Sequence, residues 1–219
     1  MPIPANEIVI LVHGLGRSRF SMRKLQCSLK AKGFQVLNWG YSSLSGGILE
    51  HAQELAIRIA SFKNDPLIHG VGHSLGGLIL RQAFALQPQQ KRRLVTLGTP
   101  HQGARLIARY PLLFNYRFIP PVIGQMHPDS SVIKTLPIPD IEIGVIAGIQ
   151  KFHPLNPISW INCLANEGIP HDGTVDIEST KVAGLTDYIE VNANHSFIPT
   201  NLAAIEYVEH FIIHGKFNP

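Results

Sequence analysis

The segment Gly72-His73-Ser74-Leu75-Gly76-Gly77 holds a serine between glycines two residues before and two residues after it. A short apolar run leads into it from Leu67-Ile68, and an apolar helical pattern begins at once with Leu78-Ile79-Leu80. Strand, sharp turn and helix in that order put a hydroxyl at the apex of a strained turn. Gly72 and Gly76 lack the Cβ atoms that such a turn has no room for. The turn lifts Ser74 clear of the sheet edge. It also sets the Leu75 N–H in the first turn of a helix, where its partial positive charge can face an oxyanion. A serine hydroxyl is a poor nucleophile, so this chemistry needs a base to take its proton and a carboxylate to orient the base.

The segment resembles the nucleophile elbow of the α/β hydrolases, in its lipase and esterase form. In that family the chain order is serine, acid, histidine, which leaves His101, His127, His153, His171, His195, His210 and His214 as candidates for the base. The base belongs in a loop after a late strand. Asn192-Ala193-Asn194-His195-Ser196 directly follows the strand-like Tyr188 to Val191, so His195 is expected to fill that role. Asp172 and Asp176 both fit the order for the acid. Asp172 is preferred, because Asp172-Gly173-Thr174-Val175 is similar to the Asp-Gly-x-Val turn that carries the acid in many lipases. Asp176 is the reserve, with capping of the Glu178-Ser179-Thr180 turn as its other role. His13-Gly14-Leu15-Gly16 is similar to the lipase His-Gly motif, which implies the Leu15 N–H as a second oxyanion donor beside that of Leu75 and a bracing role for His13. Gly98-Thr99-Pro100-His101-Gln102-Gly103 is similar to the Thr-Pro-His-x-Gly segment of lipase-like hydrolases, so the likeness runs from His13 to His195.

Positioning these groups requires a sheet with helices on both faces. Strand patterns occupy Ile8 to Val12, Phe34 to Leu37, Pro66 to Gly72, Leu94 to Leu97, Ile141 to Ala147 and Tyr188 to Val191. Helical spacing covers Ser18 to Lys32 (closed by Gly33), Ile48 to Phe62, Leu75 to Leu86 and about Pro199 to His214, the last with Leu202, Ile205, Val208 and Ile212 on one face. The alternation predicts an α/β class, doubly wound, mostly parallel sheet in a single domain over 1–219. Glu142, Gly144 and Glu190 interrupt the two late strands and predict places nearer an edge. Between 103 and 139 there is no clear strand, and Tyr110, Phe114, Tyr116 and Phe118 crowd among prolines. The family resemblance implies a cap over the active site at this insertion. The chain opens close to the expected central strand, so a compact α/β-hydrolase fold lacking the early antiparallel strands of larger members is expected.

Composition narrows the function classes. A chain of 219 residues, 45% hydrophobic and 16% charged, suits one globular α/β domain. The net charge of +4 is modest, and the cluster Arg17, Arg19, Arg23, Lys24, Lys30 and Lys32 reads as a solvated helix face rather than a nucleic-acid surface. A strand followed by Gly14-x-Gly16 could open a dinucleotide site. Arg19 stands where the third glycine belongs, however, and no acidic residue ends the second strand at Asn38-Trp39. Cys27 and Cys163 lack metal-type spacing and read as free thiols, and His210 and His214 read as a charge-compatible last turn rather than a metal pair. No run approaches the roughly 18 apolar residues of a membrane span. The N-terminus lacks a basic leader segment, which makes a cytoplasmic location the default, with transient membrane-surface contact still compatible.

The expected function is therefore hydrolysis of a small-molecule or lipid-like acyl ester by Ser74, His195 and Asp172, with no metal or organic cofactor. Thioesterase, amidase and acyltransferase chemistry share the same acyl-enzyme and stay open. A non-catalytic binding protein on this fold is the alternative of a different class; such proteins typically lose a triad member or an oxyanion glycine, and none is missing here. Oligomeric state is not written in the sequence.

Overall fold

Successive residues of the first strand serve two different layers, which is what a sheet covered on both faces demands. In β1 (Glu7–Val12) the residues Ile8, Ile10 and Val12 belong to one apolar cluster, and Val9 and Leu11 to another. The computed structural model describes residues 6–88, 91–110, 120–164 and 168–217. The remaining strands are β2 (Gln35–Trp39), β3 (Leu67–His73), β4 (Lys91–Leu97), β5 (Glu142–Gly148) and β6 (Asp187–Val191). Their spatial order is β2-β1-β3-β4-β5-β6, and every pairing is parallel. The sheet is thus wholly rather than mostly parallel.

Four helices clothe it. Helices α1 (Arg23–Ala31) and α8 (Leu202–His214) pack on the face of Val9 and Leu11 through Leu25, Leu29, Val208 and Phe211. Helices α2 (Ile48–Ala60) and α3 (Leu75–Leu86) cover the other face through Leu55, Ile59, Leu78 and Phe84. The stretch expected to be one helix from Ser18 begins instead as a 3₁₀ turn, Arg19–Met22, before α1. The last helix is likewise preceded by a 3₁₀ segment, His195–Thr200; Asn201 caps α8 by accepting the Ala204 N–H at 3.0 Å.

Three expectations about placement are corrected. β1 lies second from an edge, and the centre of the sheet is β3 and β4. β5 lies inside the sheet with all but its first residue buried, so only β6 of the two late strands is at an edge. Leu202 is 65% exposed, because it opens the first turn of α8 before that helix reaches the sheet; Ala204, Ile205, Val208, Phe211 and Ile212 form the buried face instead.

Among the described residues, the insertion between β4 and β5 contains three short helices, α4 (Arg105–Arg109), α5 (Pro121–Gln125) and α6 (Ser131–Thr135). Phe114, Tyr116 and Phe118 lie outside the described residues. A further helix, α7 (Pro157–Leu164), lies between β5 and Asp172 and was not anticipated. Among the described residues no helix is long and apolar enough to cross a membrane.

The chain reverses direction across the sheet between β1 and β3: β2 is laid to one side of β1, and every later strand to the other. In open parallel sheets the crevice at such a reversal, beyond the strand C-termini, is where ligands bind. The loops after β1, β3, β5 and β6 carry Leu15, Ser74, Asp172 and His195 to that edge.

Candidate active site

Ser74 adopts φ 52° and ψ −122° between the end of β3 and the start of α3. A Cβ on Gly72 would lie 2.5 Å from Gly77 Cα, and one on Gly76 would collide with the carbonyl oxygens of Val12 and His13. Both glycines therefore let the elbow close against β1 and against its own helix. The Ser74 N–H donates to the Leu97 carbonyl at 2.9 Å and ties the turn to β4.

The structure brings Ser74, His195 and Asp172 together, though they come from three separate loops. Ser74 Oγ lies 3.0 Å from His195 Nε2, and His195 Nδ1 lies 2.7 Å from Asp172 Oδ2. The other carboxylate oxygen, Oδ1, accepts the N–H groups of Thr174 at 3.0 Å and Val175 at 2.7 Å. Those two bonds leave Oδ2 aimed at the imidazole. The turn that makes them possible passes through Gly173 at φ 96°, where a Cβ would also stand 2.6 Å from the Lys151 carbonyl oxygen. The two loops are joined again through the backbone, His195 N–H to the Asp172 carbonyl at 2.8 Å. Asp172 is 1% exposed and Ser74 9%, so the acid is sealed while the hydroxyl reaches the cleft. Chemically, a hydroxyl, an imidazole and a carboxyl group in this order can serve as nucleophile, base and orienting group.

Asp176 is placed elsewhere. Its carboxylate meets Arg109 Nη2 at 3.4 Å, and its carbonyl, not its side chain, receives the Ser179 N–H and hydroxyl that open the following 3₁₀ turn.

Leu15 and Leu75 follow the ends of β1 and β3, which are paired side by side. Neither backbone N–H has an acceptor within the protein among the described residues. Free amides at this edge can receive an anionic oxygen. The loop bearing Leu15 is held rigidly: His13 stacks on Tyr41 with ring centroids 4.4 Å apart, the Tyr41 hydroxyl donates to the His13 carbonyl at 2.9 Å, and the Gly16 N–H donates to Ser43 Oγ at 3.0 Å. His13 thus braces the loop.

The sequence matches no family model and no curated protein. In shape the chain is similar to the mature form of the Bacillus licheniformis lipase BlEst2, with a TM-score of 0.79 at 17% identity over 98% of this chain and 94% of the lipase. It is similar to the product of the Listeria innocua gene lin2722, with a TM-score of 0.62 at 18% identity over 95% of this chain and 94% of that one. A metagenomic carboxyl esterase, MGS0156, aligns with a TM-score of 0.69 at 17% identity over 90% of this chain and 66% of its own. The fold is that of the α/β hydrolases.

The hydrolase-fold cleft beside Ser74 has a volume of about 330 Å³. Ala104, Leu106, Ile107, Ile123 and Met126 make one apolar wall from the β4–β5 insertion. Leu155, Pro157 and Ile158, from the unanticipated segment around α7, also line it. The walls are anchored. Ile48 N–H donates to Gln125 Oε1 at 2.7 Å, and Ala104 N–H to the Met126 carbonyl at 2.8 Å. Asn156 Nδ2 donates to Asn194 Oδ1 at 2.8 Å, joining the α7 segment to the residue before His195.

His73, quoted above only as part of the elbow motif, is a second buried imidazole at the site. Its Nε2–H donates to the His195 carbonyl at 2.9 Å, and its pKa is held well below the ordinary histidine value, by burial first and by the neighbouring His195 second. Only its position next to Ser74 could have signalled it. His101, from the Thr-Pro-His segment, stays away from Ser74: it is buried between Arg81 Nη1 and Thr96 Oγ1, each 3.1 Å from a ring nitrogen. The rings of His210 and His214 lie 4.4 Å apart and tilted by 40° on α8, and among the described residues no group of three or more His, Cys, Asp or Glu side chains is placed to hold a metal ion. Cys27 and Cys163 are free thiols.

Proposed function

We propose that this chain is a serine hydrolase of carboxylic esters, a single domain over 1–219 in which the 103–139 insertion and the α7 segment together cap the cleft. The observation that carries the reading is the unbroken chain of short contacts from Ser74 Oγ through His195 to Asp172, at 3.0 and 2.7 Å. In the first half-reaction Ser74 Oγ attacks the ester carbonyl carbon while His195 Nε2 takes the hydroxyl proton. The tetrahedral oxyanion is held by the Leu15 and Leu75 N–H groups, the C–O bond to the alcohol breaks, and His195 returns the proton to the departing alcohol oxygen. In the second, water attacks the acyl-enzyme with the same proton transfers and releases the acid. Asp172 keeps the Nδ1 proton of His195 in place and offsets the charge of the transient imidazolium.

A lipase and a carboxyl esterase among the proteins of the same shape support an ester as the substrate class. The cleft volume of about 330 Å³ sits at the small end of the roughly 300–1,000 Å³ typical of ligand pockets, which favours short and medium acyl chains over long ones. The test is turnover of a p-nitrophenyl ester series from acetate to palmitate, with Ser74→Ala alongside and a fluorophosphonate probe for the activated serine. Serine-dependent turnover, strongest for short or medium chains, is expected. A folded protein that labels at Ser74 but cleaves no ester would move the substrate to a thioester or amide. Undiminished turnover in folded Ser74→Ala would overturn the reading.

A further inference from the structure

From Ile8 to Leu49 the chain carries six Lys and Arg residues and no Asp or Glu. One of the six, Arg17, lies two residues beyond Leu15 and lines the cleft together with Ser74, His195 and Ser196. Its Nη2 donates to Ser196 Oγ at 2.6 Å, but among the described residues no carboxylate is within ion-pair distance of it. Among the described residues, none that lines the cleft is acidic. The guanidinium is therefore an uncompensated cation at the mouth of an otherwise mostly apolar cavity. Its field is felt on the cavity floor: His73 is depressed by burial, then by His195, and also by the Arg17 charge.

The reaction geometry says which part of a substrate meets that cation. On the reading proposed above, on which this inference rests, His195 must hand its proton to the alcohol oxygen, so the alcohol lies along His195. Ser196 is the next residue, and Arg17 is bonded to it. The acyl group has the apolar lining of Leu106, Ile107, Ile123 and Met126 available to it in the same cleft.

We propose that Arg17 determines specificity in this cleft by receiving an anionic group, a carboxylate or a phosphate, carried on the alcohol portion of the ester. A guanidinium presents paired N–H donors that match either anion, and one fork remains for a ligand after the bond to Ser196 is made. Such charge-assisted hydrogen bonds are worth about a tenfold or greater gain in affinity at a half-open site.

The experiment uses full-length Ser74→Ala, which binds without turning over, and calorimetry with three matched probes: phenyl butyrate, 4-(butyryloxy)benzoate and 4-(butyryloxy)phenyl phosphate. At least one anionic probe is expected to bind about tenfold or more tightly than the neutral one. The better of the two identifies the anion as carboxylate or phosphate. Arg17→Gln in the same background should erase the difference, and Arg17→Lys should keep part of it. Equal affinity for all three probes, or a preference that survives Arg17→Gln, overturns the proposal. Hydrolysis of phenyl butyrate by the unaltered chain is read separately, so a failure of ester hydrolysis and a failure of anion recognition give different results.

Discussion

The imidazole of His73 is hydrogen-bonded through Nε2 to the carbonyl of His195 at 2.9 Å, with the two ring centroids 5.0 Å apart. A carbonyl only accepts, so the His73 proton resides on Nε2; Nδ1 is buried and has no partner among the described residues. His73, the residue preceding Ser74, thereby holds the backbone of His195. Ser74 and His195 belong to loops after β3 and β6, which are three places apart in the sheet, and this bond spans that separation directly.

His73 is accordingly a positioning residue, and its replacement should show in the chemical step. His73→Phe keeps a ring but loses the donor; it should lower kcat for Ser74-dependent ester hydrolysis by about ten- to a hundredfold, with KM within about twofold. His73→Gln, whose amide can reach the same carbonyl, should recover part of the loss. A change confined to KM would mean that the ring only shapes the cavity.

The two candidate acids should separate cleanly under amide substitution. Asp172→Asn preserves an acceptor for the Thr174 and Val175 amides but turns an N–H donor towards His195 Nδ1, which favours the wrong tautomer of the base. A fall in kcat of about 10³–10⁴ is expected. Asp176→Asn leaves the Ser74–His195–Asp172 contacts untouched and weakens the pairing with Arg109, so kcat should stay within about threefold while the melting temperature falls. Steady-state kinetics and thermal unfolding on both variants decide it.

The elbow was legible because its demands are local: two glycines flanking a serine, a strand before and a helix after. The placement of Asp172 against His195 was legible for a similar reason, since an aspartate followed by glycine describes a turn that aims its own side chain. What the pattern concealed has physical causes. β5 resembled an edge strand because Gly144 and Glu142 interrupt its apolar run. Gly144 is small, however, because the rings of Phe211 and Phe217 occupy the space a side chain would need, and Glu142 is paired with Arg93 at 2.6 Å. Helix α7 was missed because Ile158, Trp160 and Ile161 are all partly exposed, so no core-facing periodicity marks the segment. The role of His73 depends on a contact with a residue 122 positions away, which no local pattern records.

Acid should destabilise the fold through its buried neutral histidines. His73 and His101 are both held well below the ordinary value of 6.5, chiefly by burial, with the His195 charge adding at His73 and the Arg81 charge at His101. The unfolded chain takes up these protons as the pH falls through 6.5, whereas the folded chain does not. The unfolded state then binds more protons, so the stability these groups lend is whole above about pH 6.5 and declines below it. Each such histidine adds up to about 1.4 kcal/mol per pH unit to the slope. Urea unfolding between pH 7.5 and 5 should show this decline, and His101→Gln should flatten it by about one proton's worth. A stability that is level across that range would contradict the neutral assignment.

Arg81 should govern how firmly the insertion sits over the cleft. It projects from α3, the helix that begins directly after Ser74, and it is buried with its pKa lowered to about 10 by that burial. The guanidinium donates to the Leu136 carbonyl at 2.8 Å, the Pro137 carbonyl at 3.2 Å and the His101 carbonyl at 3.3 Å, fastening the end of the α6 region to α3. Arg81→Met retains most of the aliphatic stem but strands three carbonyls, so global stability should drop by about 2–4 kcal/mol. Amide exchange over residues 131–137 should accelerate about tenfold or more beyond what that global loss accounts for, and on the proposed reading KM should rise for the longer acyl esters that lean on Ile123 and Met126. Arg81→Lys, which keeps a charge but not the fork, should fall between the two. If exchange in 131–137 merely follows global unfolding, Arg81 is a core fastening with no separate hold on the cap, and substrate-length selectivity should then be unchanged in Arg81→Met.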